Sequence, residues 1–185
     1  MKKSTIAIIA VIMVILIAIP VSSYNDLMTS REEVSQKAAT IDVQLKRRAD
    51  LIGNLLETVK GYAAHEKEII DSVTDARAKL AGAKTTGEKA TANEAATTAI
   101  AGLLAISENY PDIKSDANFR QFSDELTGTE NRIAVARIDY NNAVSKFNKK
   151  IVTLPGSLFA GAAGLEKADY FEAAESEKEV PKVQF

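Results

Sequence analysis

From Val34 to Leu80 apolar residues recur at alternating intervals of four and three. The positions are Val34, Ala38, Ile41, Leu45, Arg48, Ile52, Leu55, Val59, Tyr62, Glu66, Ile69, Val73, Ala76 and Leu80. All but Arg48 and Glu66 are apolar. A 3.5-residue repeat of this kind draws a narrow stripe along a helix, suited to packing against partner helices. The opposite face carries Asp42, Lys46, Asp50, Glu57, Lys60 and Glu68, a solvated face. A lone helix of this length is marginal in water, so packing must supply most of its stability. Arg48 and Glu66 admit two readings. Either both sit at the seam edge and extend their charges to water, or a partly buried ion pair sets the register. Gly53 and Gly61 each weaken a helix by about 1 kcal/mol relative to Ala. A break or kink at Gly53 competes with a single rod of nearly 60 residues.

The same stretch resembles the central signature of the LemA family of bacterial membrane-anchored proteins. The matching residues are Ile41-Asp42-Val43-Gln44-Leu45-Lys46-Arg47-Arg48, Asp50-Leu51-Ile52, Asn54-Leu55, Glu57-Thr58-Val59-Lys60-Gly61-Tyr62-Ala63 and His65-Glu66. A second match runs from Tyr110-Pro111 to Asn118-Phe119, then through Glu125–Ala134 to Tyr140-Asn141. Tyr24-Asn25 resembles the opening of the family's domain. Two signatures in order make the resemblance specific, and it covers residues 24 to 172. The family commonly has His where Ala49 stands and Pro where Gly53 stands. The resemblance implies a bromodomain-like bundle of four segments with a break near Gly53. It also marks candidate interaction residues: Tyr24, Asn25, Asp42, Gln44, Arg47, Arg48, Glu57, Lys60, Tyr62, His65, Glu66, Glu130, Asn131, Arg137 and Tyr140. It implies no agreed biochemical activity.

At the N-terminus, Met1-Lys2-Lys3 precedes an apolar run from Ile6 to Val21. With the flanking hydroxyl residues, Ser4 to Tyr24 spans a hydrocarbon core of roughly 30 Å at 1.5 Å per residue. The rival reading is a cleaved signal peptide with Val21 and Ser23 at the −3 and −1 positions. Signal cores run about 7–15 residues, and this run exceeds that. Lys2, Lys3 and the terminal amine flank one side. The first cations beyond the span, Arg31 and Lys37, are mixed with Asp26, Glu32 and Glu33. The positive-inside rule therefore predicts a single-pass cell-membrane protein with most of the chain extracytoplasmic. Tyr24 falls at interface depth.

The order of the remaining elements follows from punctuation. Gly82–Gly87 is the first clear loop, with Gly82 suited to a helix C-cap. A helix is predicted from about Glu88 to Asn109, with Ala96, Ala99, Leu103, Ile106 and Tyr110 on its apolar face. Pro111 ends it. Ser115 or Asp116 can cap the next helix, of about 36 residues, carrying Phe119, Phe122, Leu126, Ile133, Tyr140, Val144, Phe147 and Ile151. Leu154–Leu165 is uncharged, apolar and too short to span a bilayer. It is either a loop packed on the bundle or a membrane-surface or partner contact. From Glu172 the tail is acidic and is expected to be disordered.

Composition narrows the chemistry. Apolar residues make up 46% of the 185, aromatics 6%, and there is no Trp, which suits close-packed helices better than a β-sandwich. A net charge of −2 gives no electrostatic footprint for nucleic acid. With no Cys there is no disulfide, thiol catalysis or thiolate metal site. His65 is the only histidine, and its neighbours Glu66, Glu68 and Asp71 are routine on a solvated helix. No Ser–His–acid set can be assembled, and pairs such as Glu32-Glu33 lack the apolar setting that raises a carboxyl pKa.

The expected fold is therefore all-α: an antiparallel up-and-down bundle of three to four long helices behind an N-terminal transmembrane helix. The expected division is 1–23 anchor, 24–153 bundle, 154–171 apolar segment and 172–185 acidic tail. The expected function is a non-enzymatic scaffold or adaptor, with no cofactor and no metal. It would bind a protein partner at the bacterial membrane, and a homo-oligomer is compatible with the same stripes. The alternative is a membrane-shaping or lipid-contacting protein, and the weakest reading is an envelope enzyme.

Overall fold

The computed structural model describes residues 3–63 and 65–172, and among them there are six α-helices. These are α1 (Lys3–Lys60), α2 (Lys67–Gly82), α3 (Thr86–Ser107), α4 (Pro111–Ser115), α5 (Ala117–Val152) and α6 (Gly156–Ala160). No strand occurs among the described residues. The acidic tail from residue 173 lies outside them. Residues divide into two compact units. One comprises Met1–Ala38 with Asp139–Asp169, the other Ala39–Ile138 with Tyr170–Phe185. Helices α1 and α5 each contribute to both.

In the second unit four helix segments alternate in direction. Arg77 of α2 donates to the Ala49 carbonyl of α1 at 3.1 Å, while Lys89 of α3 pairs with Asp42 of α1. Tyr62, just past the end of α1, reaches Asp116 at the start of α5. Arg47 meets Glu125 further along α5. Short turns between packed helices force this up-and-down order. The core is drawn from the expected positions, without Tyr62, which is exposed, or Ile69, Tyr110 and Phe122, which are half-buried: Ile41, Leu45, Ile52, Leu55 and Val59 come from α1, and Val73, Ala76 and Leu80 from α2. Ala96, Ala99, Leu103 and Ile106 come from α3, with Phe119, Leu126 and Ile133 from α5.

Two expectations about the stripe are corrected. The helix neither breaks at Gly53 nor runs as one rod to Leu80. It passes through Gly53, ends at Lys60, and reverses over Gly61–Glu66. Gly53 keeps its amide N–H where a Pro would lack one, and it is flanked by the buried Ile52, Leu55 and Leu56. That burial outweighs a glycine penalty of about 1 kcal/mol. The vacated volume at Gly53 is filled by the Arg77 guanidinium: a Cβ there would lie 2.9 Å from Arg77 Cζ. At the reversal, Tyr62 and Ala63 both return N–H bonds to the Val59 carbonyl, and Ala63 is buried. The stripe's phase carries across this turn because α2 starts its own stripe in step, so spacing alone does not separate rod from hairpin.

Local caps set the later boundaries. Thr85 and Glu88 form a reciprocal capping box at the start of α3. Asp116 Oδ1 accepts the N–H groups of Asn118 and Phe119 and so caps α5. Pro111 starts the short α4 rather than a plain loop.

The first unit joins the N-terminal part of α1 to the C-terminal part of α5. Its core is Leu27, Phe147, Ala160 and Leu165, with Met28, Val34, Ile151 and Phe159 packed against them. The apolar segment after α5 thus divides: Ala160 and Leu165 are buried, whereas Leu154 and Leu158 are exposed. Gly164, at φ +63°, turns the chain out of α6 into an extended segment. That segment has no helix or strand of its own. Asn148 clamps the Ala168 N–H and C=O with its side-chain amide, and the Tyr140 hydroxyl donates to the Asp169 carbonyl at 2.9 Å.

Along the first part of α1, Ile8 to Val21 lie open on every side, and only 6% of the most apolar 18-residue stretch is buried. This end of α1 is long and apolar enough to cross a membrane.

Candidate functional site

The most unusual chemistry in the chain is a polar layer inside the second unit. Arg48 occupies a core position of α1 and retains 3% of its exposure. Its Nη1 lies 2.5 Å from Glu130 Oε2 of α5 and also donates to the Asn93 side-chain carbonyl on α3. Nη2 donates to Thr97 Oγ1 at 3.0 Å. Arg48 therefore ties three helices together. Burial pulls its guanidinium below its usual pKa. Glu130 opposes this and the nearby Arg137 adds to it, but an Arg stays protonated near neutrality all the same. Four buried atoms, Gln44 Oε1, Arg48 Nε, Arg137 Nε and Glu130 Oε2, lack a well-aligned hydrogen bond among the described residues, and Glu130 Oε2 meets Arg48 as an ion pair. Arg137 places its guanidinium over the Phe171 ring, 4.6 Å from the centroid. Of the two readings of Arg48, the ion pair holds; its partner is Glu130 rather than Glu66.

Glu66 instead accepts the Tyr110 hydroxyl at 3.0 Å, and Tyr62 donates to Asp116 Oδ2 at the same distance. These pairs fasten the α1–α2 turn to the ends of α3 and α5. Each tyrosine hydroxyl is pushed up in pKa by its carboxylate partner, and Asp116 is pushed down, chiefly by the Phe119 N–H and then by Tyr62.

A second feature is an open cleft of about 700 Å³ beside α1, α2 and the turn into α3. Its buried apolar lining is Leu45, Ala49 and Leu80. Lys46, Arg77, Lys84 and Lys89 stand round it against two carboxylates, Asp42 and Asp50.

The candidate residues fall into distinct places. Gln44, Arg48, Glu130 and Arg137 belong to the polar layer, Asp42 to the cleft, and Tyr62 and Glu66 to the turn fastenings. Arg47 makes a surface pair with Glu125 at 3.4 Å and Glu57 pairs with Lys60 at 2.8 Å. Tyr140 is buried and holds the extended segment. Tyr24, Asn25, His65 and Asn131 are exposed. Among the described residues no group of three or more His, Cys, Asp or Glu is placed to hold a metal ion. Sequence reading missed Asn93 and Thr97, the partners of Arg48. Their four-residue spacing in the alanine-rich α3 was the available signal. It also missed Arg77 and Lys89, which carry no pattern that marks them in advance.

The LemA family model matches residues 37–185. Protein LemA of Metamycoplasma hominis is 28% identical over 155 residues, covering 83% of this chain and 71% of that one. Magnetosome protein MamQ 2 of Paramagnetospirillum magneticum is 28% identical over 175 residues, covering 80% of this chain. Magnetosome protein MamQ of Magnetospirillum gryphiswaldense is 26% identical over 174 residues, again covering 80%. The chain spans 64% of the length of these two magnetosome proteins. With two signatures in register on an all-α scaffold and a family match across most of its length, the chain belongs to the LemA family.

Proposed function

We propose that the chain is a membrane-anchored, non-enzymatic scaffold whose second unit binds a partner protein in the α1–α2–α3 cleft. The observation that carries this reading is the cleft's make-up: an apolar floor with four cations set against two carboxylates. Lys89 is engaged by Asp42 and Lys46 loosely by Asp50, at 3.5 Å. That leaves a positive surplus at Arg77 and Lys84. The complementary occupant is an amphipathic helix of the partner with acidic side chains flanking its apolar face. The exposed apolar end of α1 supports anchoring, and Lys2 and Lys3 before it favour a bundle outside the cytoplasm.

The test is photo-crosslinking in intact cells with benzoylphenylalanine placed at position 81, on the cleft wall. A discrete protein adduct is expected. Lys46→Glu with Lys84→Glu should abolish it, whereas Lys67→Glu, exposed and outside the cleft, should not. No adduct, or one indifferent to the cleft charges, overturns the reading. Sidedness is read separately. Asp124→Cys supplies the protein's sole thiol, and labelling by an impermeant maleimide in unbroken cells places the bundle outside.

A further inference from the structure

The corner between α5 and α6 lies in the first unit, against α1 at the point where its apolar run ends. Thr153, Leu154, Pro155 and Gly156 share the walls of a small hollow of about 280 Å³ with Ser22, Ser23, Asp26 and Leu27. Lys150 fixes the corner there, donating to Asp26 Oδ1 and Ser30 Oγ at 2.6 Å each. Gly156 is packed so tightly that a Cβ on it would lie 3.5 Å from Leu27 Cδ2 and collide with the Lys150 carbonyl. The corner is thus held rigidly to α1 within one or two turns of Val21, the last residue of the apolar run.

What the corner presents outward is hydrocarbon. Val152, Leu154 and Leu158 are 55%, 73% and 67% exposed. No charged residue occurs between Lys150 and Glu166. Elsewhere in the same segment Ala160 and Leu165 are buried in the unit's core, so the segment's apolar residues are sorted into an inward and an outward set. An outward set on a monomer marks a contact. The depth identifies its occupant. If residues 4–23 span the bilayer, Tyr24 to Asp26 rise through the first ~5 Å beyond the hydrocarbon edge, within the headgroup layer. Exposed leucines held at that level meet lipid rather than water or a soluble protein. Lys149, exposed beside the corner, is placed for lipid phosphates.

We infer that the α5–α6 corner is a second membrane contact, with Leu154 and Leu158 seated in the headgroup–acyl boundary beside the anchor. This rests on reading residues 4–23 as a span. The bilayer would then be gripped at two points, so α1 cannot rotate freely about its axis.

The experiment uses the full-length chain, which has no native Cys, reconstituted into phosphatidylcholine vesicles. An NBD fluorophore is attached in turn to Leu158→Cys, Leu16→Cys and Val135→Cys. Quenching is read with lipid carrying a spin label near the top of the acyl chain and with aqueous iodide. The Leu158 probe should be blue-shifted relative to the Val135 probe and quenched by the lipid label. Iodide should quench it several-fold less than the Val135 probe. Adding Leu154→Asp should reverse these changes at 158 while leaving the Leu16 probe in lipid. A Leu158 probe that behaves like Val135 while the Leu16 probe is in the chain interior overturns the inference and leaves the span intact. A water-exposed Leu16 probe refutes the span itself. In that case quenching of the 158 probe by lipid supports a peripheral contact, and its absence ends both ideas.

Discussion

The Arg48–Glu130 pair predicts an asymmetric cost of breaking it. At 2.5 Å and an effective dielectric near 20, the Coulomb attraction is roughly 6–7 kcal/mol before desolvation is subtracted. The desolvation falls more heavily on one partner: the Arg48 side chain keeps 3% of its exposure and Glu130 39%, with only the paired Oε2 of Glu130 buried. Glu130→Met therefore strands a buried cation that also faces Arg137, and should cost about 3–5 kcal/mol. Arg48→Met frees Glu130 to be rehydrated and leaves chiefly the Asn93 acceptor unpaired. That loss is about 2 kcal/mol. The double variant should be no worse than Arg48→Met alone, a coupling of roughly 3–5 kcal/mol. The assay is reversible denaturant unfolding of the full chain in detergent, with all four species measured at neutral pH. If Arg48→Met costs as much as Glu130→Met, or if the single losses simply add in the double, the pair does not set the energetics of this layer.

Other consequences follow from the caps and close approaches. Asp116 is held below the ordinary carboxylate range, near 4, by the Phe119 N–H, Tyr62 and the Asn118 N–H. Its contribution is thus present above that range and is lost as pH falls through its lowered folded pKa. In Asp116→Asn this part of the acid destabilisation below about pH 4 should vanish; an unchanged acid limb in a pH series of unfolding curves would refute it. Gly53→Ala should be within about 1 kcal/mol of neutral in the same unfolding assay, because gained helix propensity offsets displacement of the flexible Arg77 tip. Gly156→Ala meets the Lys150 backbone instead and should destabilise the first unit by about 1–3 kcal/mol, seen as faster amide exchange at Leu165.

Much of this was legible in spacing. From Ile41 to Val59 and from Val73 to Leu80 the apolar stripe positions are core residues, whereas Val34, Ala38 and Ile69 are half-buried and Tyr62 is exposed; the helix from 117 to 152 has its expected length, and Asp116 caps it. The position of the reversal was not legible. A Gly at 53 and a Gly at 61 look alike in sequence. Only one lies between buried turns that hold it helical, and the stripe's phase runs through the other by coincidence of register. The polar layer was half legible: Arg48 interrupts the stripe visibly, whereas Glu130, Asn93 and Thr97 reach it from sequence separations of 45 residues or more. The cleft had no sequence signal, because its cations come from α1, α2, α3 and the turn before α3 and look like ordinary solvated charges.

The extended segment after Gly164 borrows its order. Its backbone is held by two α5 side chains, the Tyr140 hydroxyl and the Asn148 amide, by one backbone bond from the Leu165 N–H to the Ala160 carbonyl, and by the burial of Leu165. A strand in a sheet or a turn of helix can lose a side chain and keep its hydrogen bonds; beyond Leu165 this segment cannot. Tyr140→Phe removes one fastening and Asn148→Ala removes two, and at Ala168 and Asp169 no backbone–backbone bond stands beside them among the described residues. Such a stretch behaves like a latch rather than a wall: it can open without unwinding α5. A protease cutting near 166–169 then reports the latch's local equilibrium, not the stability of the helices beneath it.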